Sequence, residues 1–446
     1  MDIIFSLLIR LIVWFSGFAR FLSRLGLCQF EEWSPGKPVK VLLVGYNGAR
    51  NTGADARVVA LLRQLEEVTD PEKVSFTVMT LSTEHVNGYF SSRIRLLPFT
   101  TFFFFSLLKA ASMHHVAVLC EGSTLTRTFA DALTLFFCEA AGIMKRQQKP
   151  CIAYGSEVGP IDGWLARLCH DMCRDTYFIV RTDDSLKNLE ALGLKGHVGT
   201  DTAWTFMDPD GERWAKEQLL NDGWDGVQPI VGVAVINPYC WPVRPSLWRW
   251  FKALTTRDFS CQYDKMYFFR DSKQRREDYQ RYLSEMAMAV NRYQQERKAF
   301  VVILGMEKLD TETCERFGQL INGPHCIHTS MKRDVFQMTG LLRQLSILVT
   351  SRYHAAVLSM EQAIPIVAVS MDGRLDGIIR ETQLDYDYLH HVGDERLGEH
   401  VIASLHLAIA QREEIATSIR QHVVVYKKKV EEMREYAISW LKEHFS

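Results

Sequence analysis

The fold of this chain is decided by one stretch, residues 345–370, which reads LSILVTSRYHAAVLSMEQAIPIVAVS. Two short apolar runs of strand type, 345–351 and 364–370, enclose a segment that suits a helix. In a parallel sheet, such a strand–turn–helix joint lies at the carboxyl edge, where open α/β folds bind ligands and where helix N–H groups point at an anion. The turn carries Arg352 and His354, which suit an anion. An isolated pair of this kind equally fits a surface ion pair and a helix cap.

The same order of strand, polar or glycine-rich turn, and helix recurs earlier in the chain. Such turns follow four apolar runs, at residues 45–55, 120–124, 155–160 and 181–185. This repetition predicts an α/β fold with doubly wound parallel sheets whose turns line one edge.

The pattern restarts after a polar, glycine-bearing stretch, which predicts a second domain. A chain of 446 residues also exceeds the size at which one core keeps growing. We expect four segments: a helix and linker, an N-terminal Rossmann-like domain on the acceptor side, a C-terminal Rossmann-like domain on the donor side, and terminal helices. Their bounds are residues 1–38, 39–225, 226–390 and 391–446.

Charge and cysteine spacing exclude two classes of partner. The net charge of -1, from 52 basic and 53 acidic residues, offers no field for a polyanion, so nucleic acid is not expected. The ten cysteines include no C-x-x-C pair, and His325, Cys326 and His328 alone are too sparse for a metal site. We therefore expect no metal, and reduced cytosolic thiols.

The first thirty residues combine strong hydrophobicity with arginines. Residues 3–27 contain Arg10, Arg20 and Arg24, so they offer no run of about 18 uncharged residues to span a bilayer. They also lack the charged start and the cleavage site of a signal peptide. On a helix these arginines share one narrow sector of an otherwise apolar surface. This pattern predicts an amphipathic, monotopic helix against anionic headgroups on the cytoplasmic face of a membrane. Docking on the protein's own core, or a dimer contact, is the alternative.

A second apolar stretch, residues 99–108, contains four consecutive phenylalanines, Phe102 to Phe105. Four in a row cover all sides of a helix, so they cannot all face one core. Two interpretations stay open: some of the rings reach the same membrane, or the stretch is a buried helix between domains.

Taken together, six segments resemble the polysaccharide pyruvyl transferase family. The family pattern G-Y-x-G-x-x-N-x-G-D-E-A is similar to GYNGARNTGADA at 45–56, and its R-x-H-A turn is similar to RYHA at 352–355. Its other four motifs, G-G-G-S, G-Q-G-I-G-P, R-D-x-x-S-x-x-x-L-x-x-L-G and S-Y-D, are similar to EGS at 121–123, GSEVGP at 155–160, RTDDSLKNLEALG at 181–193 and SMD at 370–372.

The order and spacing of these motifs are kept from about residue 40 to 390, with four departures. Ala54 and Thr182 replace aspartates of the family pattern, and Glu121 and Glu157 stand where glycine and glutamine are usual. These departures leave open a different specificity, or a different chemistry, for the pocket of the first domain.

The resemblance implies two Rossmann-like domains facing across a cleft, in a GT-B-like arrangement. It also implies transfer of pyruvate from phosphoenolpyruvate to a sugar diol as a cyclic ketal, in cell-surface polysaccharide biosynthesis. Phosphoenolpyruvate is then a co-substrate, and no cofactor is expected. The other expected partners are a glycan acceptor, lipid-linked if the membrane prediction holds, and the membrane itself; oligomerisation is left open. Rival functions are a GT-B-type glycosyltransferase with a nucleotide-sugar donor and a noncatalytic, membrane-associated member of the family.

The resemblance further implies roles for single residues. Arg352 would bind an anionic group of phosphoenolpyruvate bidentately. His354, with an unperturbed pKa of about 6.5, would donate the proton or hold the leaving phosphate. Arg244, which is similar to an arginine–proline element of the family, would bind substrate unless it stacks on Trp241 or Trp248. The other expected substrate-binding residues are Asn51, Gly53, Asp55, Gly122, Ser123, Glu157, Arg181 and Asp372.

Overall fold

The computed structural model describes residues 2–100, 103–258, 261–382 and 386–445. The chain begins with two helices, α1 (Asp2–Ser16) and α2 (Ala19–Arg24). The elements of the first sheet and its helices follow in the order β1 (Val39–Asn47), α3 (Thr52–Val68), β2 (Val74–Thr80), β3 (Arg95–Pro98), α4 (Phe104–Ser112), β4 (Val116–Leu119), α5 (Asp131–Arg146), β5 (Cys151–Ser156), α6 (Gly163–Cys173), β6 (Thr176–Val180), α7 (Asp183–Ala191), β7 (Lys195–Val198) and α8 (Pro209–Asn221).

A second set of elements forms the other sheet, a small antiparallel sheet and the terminal helices. They are β8 (Ile230–Ala234), β9 (Arg244–Pro245), α9 (Leu247–Thr256), β10 (Gln262–Asp264), β11 (Tyr267–Phe268), α10 (Lys273–Arg297), β12 (Phe300–Gly305), α11 (Asp310–Gly318), β13 (His325–Thr329), α12 (Val335–Leu342), β14 (Ile347–Thr350), α13 (Tyr353–Ser359), β15 (Ile366–Ser370), α14 (Gly373–Thr382), β16 (Leu389–His391), α15 (Leu397–Ala410) and α16 (Arg412–His444).

Both large sheets are parallel and doubly wound, as the repeated pattern predicted. The first has the strand order β3-β2-β1-β4-β5-β6-β7, and the second has the order β13-β12-β8-β14-β15-β16. Each order reverses once along the chain, between β1 and β4 in the first sheet and between β8 and β14 in the second. Such reversals open a crevice at the carboxyl ends of the strands, where α/β folds bind ligands.

The two crevices face each other, and the loops that border them are in contact. The loop after β1 meets the loop after β12: Thr52 N donates to Met306 O at 2.9 Å, and Asn51 forms an isolated bridge with Glu307. The predicted arrangement of two Rossmann-like domains across a cleft is therefore confirmed, with the turns of both sheets lining one interdomain seam.

The long helix α16 packs on both sheets. Its first half contributes Ile419 and Tyr426 to the core of the second sheet, and the Tyr426 ring stacks on Trp204 with a 4.4 Å centroid distance. Its second half contributes Met433 and Trp440 to the core under the first sheet. The terminal helices thus connect the two domains physically.

The N-terminal stretch differs from the expected single helix with an arginine stripe against lipid headgroups. It breaks between α1 and α2, and Arg10 pairs with Asp171 at 2.8 Å while Arg20 pairs with Glu32. These arginines therefore meet the protein's own carboxylates, which the local sequence pattern does not reveal. The buried face of α1, with Ile9 at its centre, packs against the first domain.

The phenylalanine run divides between the core and the surface. Phe103 and Phe104 are buried, and the Phe103 ring meets Phe136 edge-on at 4.9 Å, whereas Phe105 is 73% exposed. Residues 101 and 102, including Phe102, lie outside the described part of the chain. Among the described helices, none combines the length and the hydrophobicity needed to cross a bilayer.

Candidate functional site

A cleft of about 190 Å³ lies where the two crevices meet. One of its walls is polar and collects side chains and turns from both domains. Its members include Asn51, Gly53, Glu121, Ser123, Glu307, Arg352, His354 and Arg374. The opposite wall is apolar and includes Phe99, Phe103, Phe129, Leu133, Phe136 and Trp241.

His354 lies in the first turn of α13 and reaches across the seam to the first domain. A Cβ built on Gly53 would lie 2.1 Å from His354 Nδ1, so only glycine at this position leaves room for the imidazole. Asn51 fixes the glycine's position by capping α3, because its side chain accepts from Gly53 N and Ala54 N at 3.1 Å each. The two motifs GARNTG and RYH are therefore in direct contact.

The other end of the imidazole faces a buried carboxylate. His354 Nε2 lies 3.5 Å from Asp201 Oδ2, and this buried nitrogen has no hydrogen-bond partner among the described residues. Burial lowers the pKa of His354 below its ordinary value, and the charge of Asp201 offsets only part of that effect. The lowered pKa favours the neutral imidazole.

Asp201, which is not among the predicted site residues, is the centre of a buried ion cluster. Arg57 Nε donates to Asp201 Oδ1 at 3.1 Å, and Arg181 Nη1 donates to Asp201 Oδ2 at 3.0 Å. Burial alone would raise the pKa of Asp201, but Arg57, His354 and Arg181 outweigh it and hold the pKa far below the ordinary range. Asp201 therefore stays ionised and can fix the orientation of His354.

The two glutamates that depart from the family pattern join the same cluster. Glu157 Oε2 accepts from Arg181 Nη2, and Glu121 Oε1 lies 3.9 Å from Arg57 Nη1. Burial raises the pKa of Glu121, against the lowering effect of Arg57. Gly122 makes this packing possible, since a Cβ there would lie 2.7 Å from Arg57 Nη1. Each glutamate partly neutralises an arginine.

Arg352, the expected bidentate anion ligand, has carboxylate partners of its own in the structure. Its Nε donates to Asp310 Oδ2 at 2.9 Å, its Nη2 contacts Asp310 Oδ1, and its Nη1 lies 3.2 Å from Glu307 Oε2. Burial raises the pKa of Asp310 to about 6 despite the opposing charge of Arg352. An incoming anion would compete most readily with Glu307, which also lines the cleft.

Arg374 is a second cleft arginine that sequence reasoning missed. It forms a bidentate pair with Asp372, at 2.9 Å from Nε to Oδ1 and 2.6 Å from Nη2 to Oδ2, and its guanidinium lies 4.7 Å from the centre of the Phe129 ring. The available signal was its place two residues after the SMD motif, at the start of α14. Asp372 therefore accepts hydrogen bonds from Arg374 instead of lining the cleft itself. Arg374 lies between the polar wall and Phe129 of the apolar wall.

The predicted site residues fall into three groups. Five line the cleft, namely Asn51, Gly53, Ser123, Arg352 and His354. Five others support the wall from behind or beside it, namely Asp55, Gly122, Glu157, Arg181 and Asp372. Arg244 lies apart, exposed on the small sheet, while its neighbours Trp241 and Val243 line the cleft instead.

Asp55 is buried and supports the loop after β1 through a hydrogen bond to its backbone. It is 1% exposed, and its Oδ1 accepts from Gly48 N at 3.1 Å, which holds the loop after β1. Burial raises the pKa of Asp55 to about 7, against the lowering effects of that hydrogen bond and of Arg50. Its role is to shape the loop that carries Asn51.

Among the described residues, two groups of possible metal ligands lie outside the cleft, and both are already hydrogen-bonded. In the first, Asp222, Cys326 and His328 have ligand atoms within 4.8 Å of one another, but His328 Nε2 lies 2.8 Å from Asp222 Oδ2 and Arg333 donates to His328 Nδ1 at 3.4 Å. The second consists of His390, Asp394 and His400, in which Asp394 Oδ2 pairs with His400 Nδ1 at 2.6 Å. Both groups are explained as hydrogen-bonded clusters.

The architecture is similar to that of several solved structures, which include UDP-N-acetylglucosamine 2-epimerases. S. aureus MnaA, determined with UDP, aligns with a TM-score of 0.54 at 12% identity over 86% of this chain and 90% of that one. The Neisseria meningitidis UDP-GlcNAc 2-epimerase, bound to UDP-GlcNAc, aligns at 0.52 and 10% identity over 85% and 94%. The Methanocaldococcus jannaschii enzyme aligns at 0.50 and 11% over 83% and 92%. At these identities the likeness establishes the fold alone.

The fold and cleft thus define a two-domain α/β protein with a GT-B-like arrangement. No curated protein matches the chain significantly. The model of the family "Polysaccharide pyruvyl transferase" matches residues 51–373, most of the sequence. The chain belongs to the polysaccharide pyruvyl transferase family, and it is a transferase that acts in polysaccharide modification.

Proposed function

We propose that the protein transfers pyruvate from phosphoenolpyruvate to two hydroxyls of a glycan as a cyclic ketal. The observation that carries this proposal is the convergence of His354, Arg352, Asn51 and Ser123 on one interdomain cleft in a chain of this family. The cleft offers guanidinium groups for an anionic donor and an imidazole for proton transfer.

The proposed reaction balances without a cofactor. A proton adds to C3 of phosphoenolpyruvate, which makes C2 an oxocarbenium-like centre. One sugar hydroxyl adds to C2 and loses its proton, the bond from C2 to the phosphate oxygen breaks, and phosphate leaves. The second hydroxyl then adds to C2 and loses its proton, which closes the ketal. The products are the pyruvylated sugar and inorganic phosphate.

His354 is the proposed proton donor to C3. Its pKa is lowered by burial in the free protein, so it must gain a proton when the donor binds. The negative charge of bound phosphoenolpyruvate favours that uptake by raising the pKa of the imidazole. Asp201, held ionised by two arginines, stabilises the imidazolium that forms.

Arg352 and Arg374 are the proposed ligands of the donor's carboxylate and phosphate, because both line the cleft. Each is paired with a carboxylate in the structure, so binding requires exchange of an internal partner for the donor. The acceptor is proposed to be a lipid-linked glycan, which the apolar wall beside Phe103 and Phe136 would suit. We further propose that α1 and α2 attach to the cytoplasmic face of a membrane through exposed apolar side chains such as Leu7, Leu11 and Trp14, because Arg10 and Arg20 pair with the protein's own carboxylates. Such attachment agrees with a lipid-linked acceptor.

The test is a reaction with phosphoenolpyruvate and a panel of lipid-linked and free glycans. Phosphorus NMR measures phosphate release and proton NMR detects the ketal methyl group. We expect phosphate and ketal to form in equal amounts, and the reaction to be lost in His354→Asn and Arg352→Lys variants of unchanged fold. Product formation unaffected in both variants would refute the assignment.

A nucleotide-sugar reaction is the second candidate, favoured by the similarity of the fold to structures solved with UDP and UDP-GlcNAc. The same panel with UDP-sugars in place of phosphoenolpyruvate separates the two. Turnover of a UDP-sugar in this second panel, together with no consumption of phosphoenolpyruvate in the first, would establish the second candidate and exclude the first.

A further inference from the structure

Helix α9 exposes an apolar face, which is unusual for a helix on the surface of a globular protein. Such helices bury their apolar stripe and expose the polar one. Here Leu247, Trp248, Phe251 and Leu254, which share one face at helical spacing, are all more than half exposed, and Trp248 is 76% exposed. The apolar face of α9 is therefore available to a partner.

The opposite face of α9 is fixed to the small sheet. The Arg249 guanidinium lies 4.7 Å from the centre of the Phe268 ring and its Nη1 donates to Phe269 O at 3.2 Å. At the helix start, Ser246 caps Arg249 N, and Ser246 N donates to Met266 O at 2.8 Å. Arg249 and the buried Ala253 thus hold α9 on the small sheet, and Trp248 and Phe251 face outward.

The turn that anchors α9 also lies beside the N-terminal helix. Lys265, Met266 and Tyr267 line one small recess together with Phe5 of α1 and Phe104 of α4. On α1 a second set of large apolar side chains is exposed, namely Ile4, Leu7, Leu11, Trp14 and Phe15. The turn that anchors α9 and the helix α1 therefore approach each other at one recess.

This recess adjoins the cleft. Phe103, Ala132 and Tyr267 line both the recess and the apolar wall of the cleft. A partner seated on α1 and α9 would consequently lie next to the apolar end of the site.

The charge around α9 indicates what that partner is. Residues 244–270 carry six Lys and Arg against two Asp, a net charge of +4 in a chain whose total is -1. Lys252, Arg257 and Lys265 are exposed beside the apolar face. Exposed Trp, Phe and Leu bordered by cations suit the interface of a bilayer with anionic headgroups.

We propose that α9 is a second membrane-docking element. Together with α1 and α2, it places the apolar wall of the cleft next to an anionic bilayer. The inference rests on the proposed attachment through α1 and α2 and extends it to the second domain. With one contact from each domain, the bilayer would fix the orientation of the cleft and present lipid-linked substrates to its apolar wall.

The test is co-sedimentation of the full chain with phosphatidylcholine vesicles, with and without phosphatidylglycerol. Three double variants are compared with the wild type. Trp248→Glu with Phe251→Glu alters α9, Leu7→Glu with Leu11→Glu alters α1, and Val227→Glu with Val424→Glu changes exposed apolar residues elsewhere as the matched control. Circular dichroism and phosphoenolpyruvate binding in solution verify that each variant is folded.

We expect the wild type and the control variant to bind the anionic vesicles, and the α9 variant to bind about tenfold more weakly. If the α9 variant binds vesicles with wild-type affinity, the inference is overturned. If in addition the α1 variant loses binding, the protein attaches through α1 without α9. Equal binding to uncharged vesicles also overturns the inference. The inference is also overturned if the wild type is a dimer and the α9 variant is a monomer, because the apolar face would then be an interface between two copies.

Discussion

At the scale of single residues, the contact between Gly53 and His354 joins the two halves of the site. Gly53→Ala places a methyl group where the imidazole lies, so we expect His354 to be displaced and kcat to fall on the order of 100-fold. The measurement is steady-state pyruvyl transfer. Gly377→Ala in α14 is the matched control, because a Cβ there meets nothing within 4 Å. Activity retained in Gly53→Ala would show that His354 does not act from this position.

Glu157 offers a second test at the same scale. Replacing it with the family's glutamine removes the carboxylate that faces Arg181 while keeping the shape of the side chain. Because Arg181 then contributes more positive charge to the seam, we expect Glu157→Gln to bind phosphoenolpyruvate about tenfold more tightly. Calorimetric titration measures this, with the exposed Glu190→Gln as control. Equal or weaker binding would mean that Glu157 serves the acceptor instead.

At the scale of elements, α5 carries a buried acid that the proposed reaction does not use. Glu139 is 0% exposed, both of its carboxylate oxygens lack a hydrogen-bond partner among the described residues, and burial raises its pKa well above the ordinary value. The folded protein therefore binds this proton more tightly than the unfolded chain does. It follows that stability contributed by the protonated form is lost as pH rises above about 4.5.

We expect the free energy of unfolding of the wild type, relative to Glu139→Gln, to fall as pH rises above about 5, by up to about 1.4 kcal/mol per pH unit. Urea denaturation at several pH values measures the difference. The exposed Glu217→Gln on α8 should follow the wild type. Parallel pH profiles for wild type and Glu139→Gln would contradict the assignment.

The turns of the two sheets were the elements that the sequence predicted best. Strand, turn and helix are local patterns, so the RYHA turn and the glycine-rich loop after β1 were predicted at the correct edges. The N-terminal helix was less accessible, because its arginines pair with Asp171 and Glu32 at distant positions. Helical periodicity shows that charges share a face but not which surface that face meets.

At the scale of the whole molecule, the site consists of contacts between domains, which no local pattern specifies. Asp201, Arg57 and His354 are separated by long stretches of sequence and meet only because the two crevices face each other. The available sequence signal for Arg57 was a charge inside the apolar stretch of α3. The pairing of Arg352 with Asp310 likewise depends on how β12 and β14 are placed in the second sheet.

The pairing of arginines with carboxylates along the interdomain seam has one consequence for the molecule as a whole. Arg57, Arg181, Arg352 and Arg374 each have an acidic partner, so the seam is stabilised by charges that a donor anion must compete for. Truncating one member of a buried pair leaves an unpaired charge and is strongly destabilising, so charge-retaining or isosteric variants are the informative ones.

Whether the cleft binds phosphoenolpyruvate as donor is decided by calorimetric titration of the wild-type protein and His354→Asn with phosphoenolpyruvate and with UDP-N-acetylglucosamine. This assignment of the donor predicts saturable binding of phosphoenolpyruvate with uptake of a proton by the wild type, a loss of that uptake in His354→Asn, and no saturable binding of the nucleotide-sugar. Saturable binding of UDP-N-acetylglucosamine without any binding of phosphoenolpyruvate would contradict it.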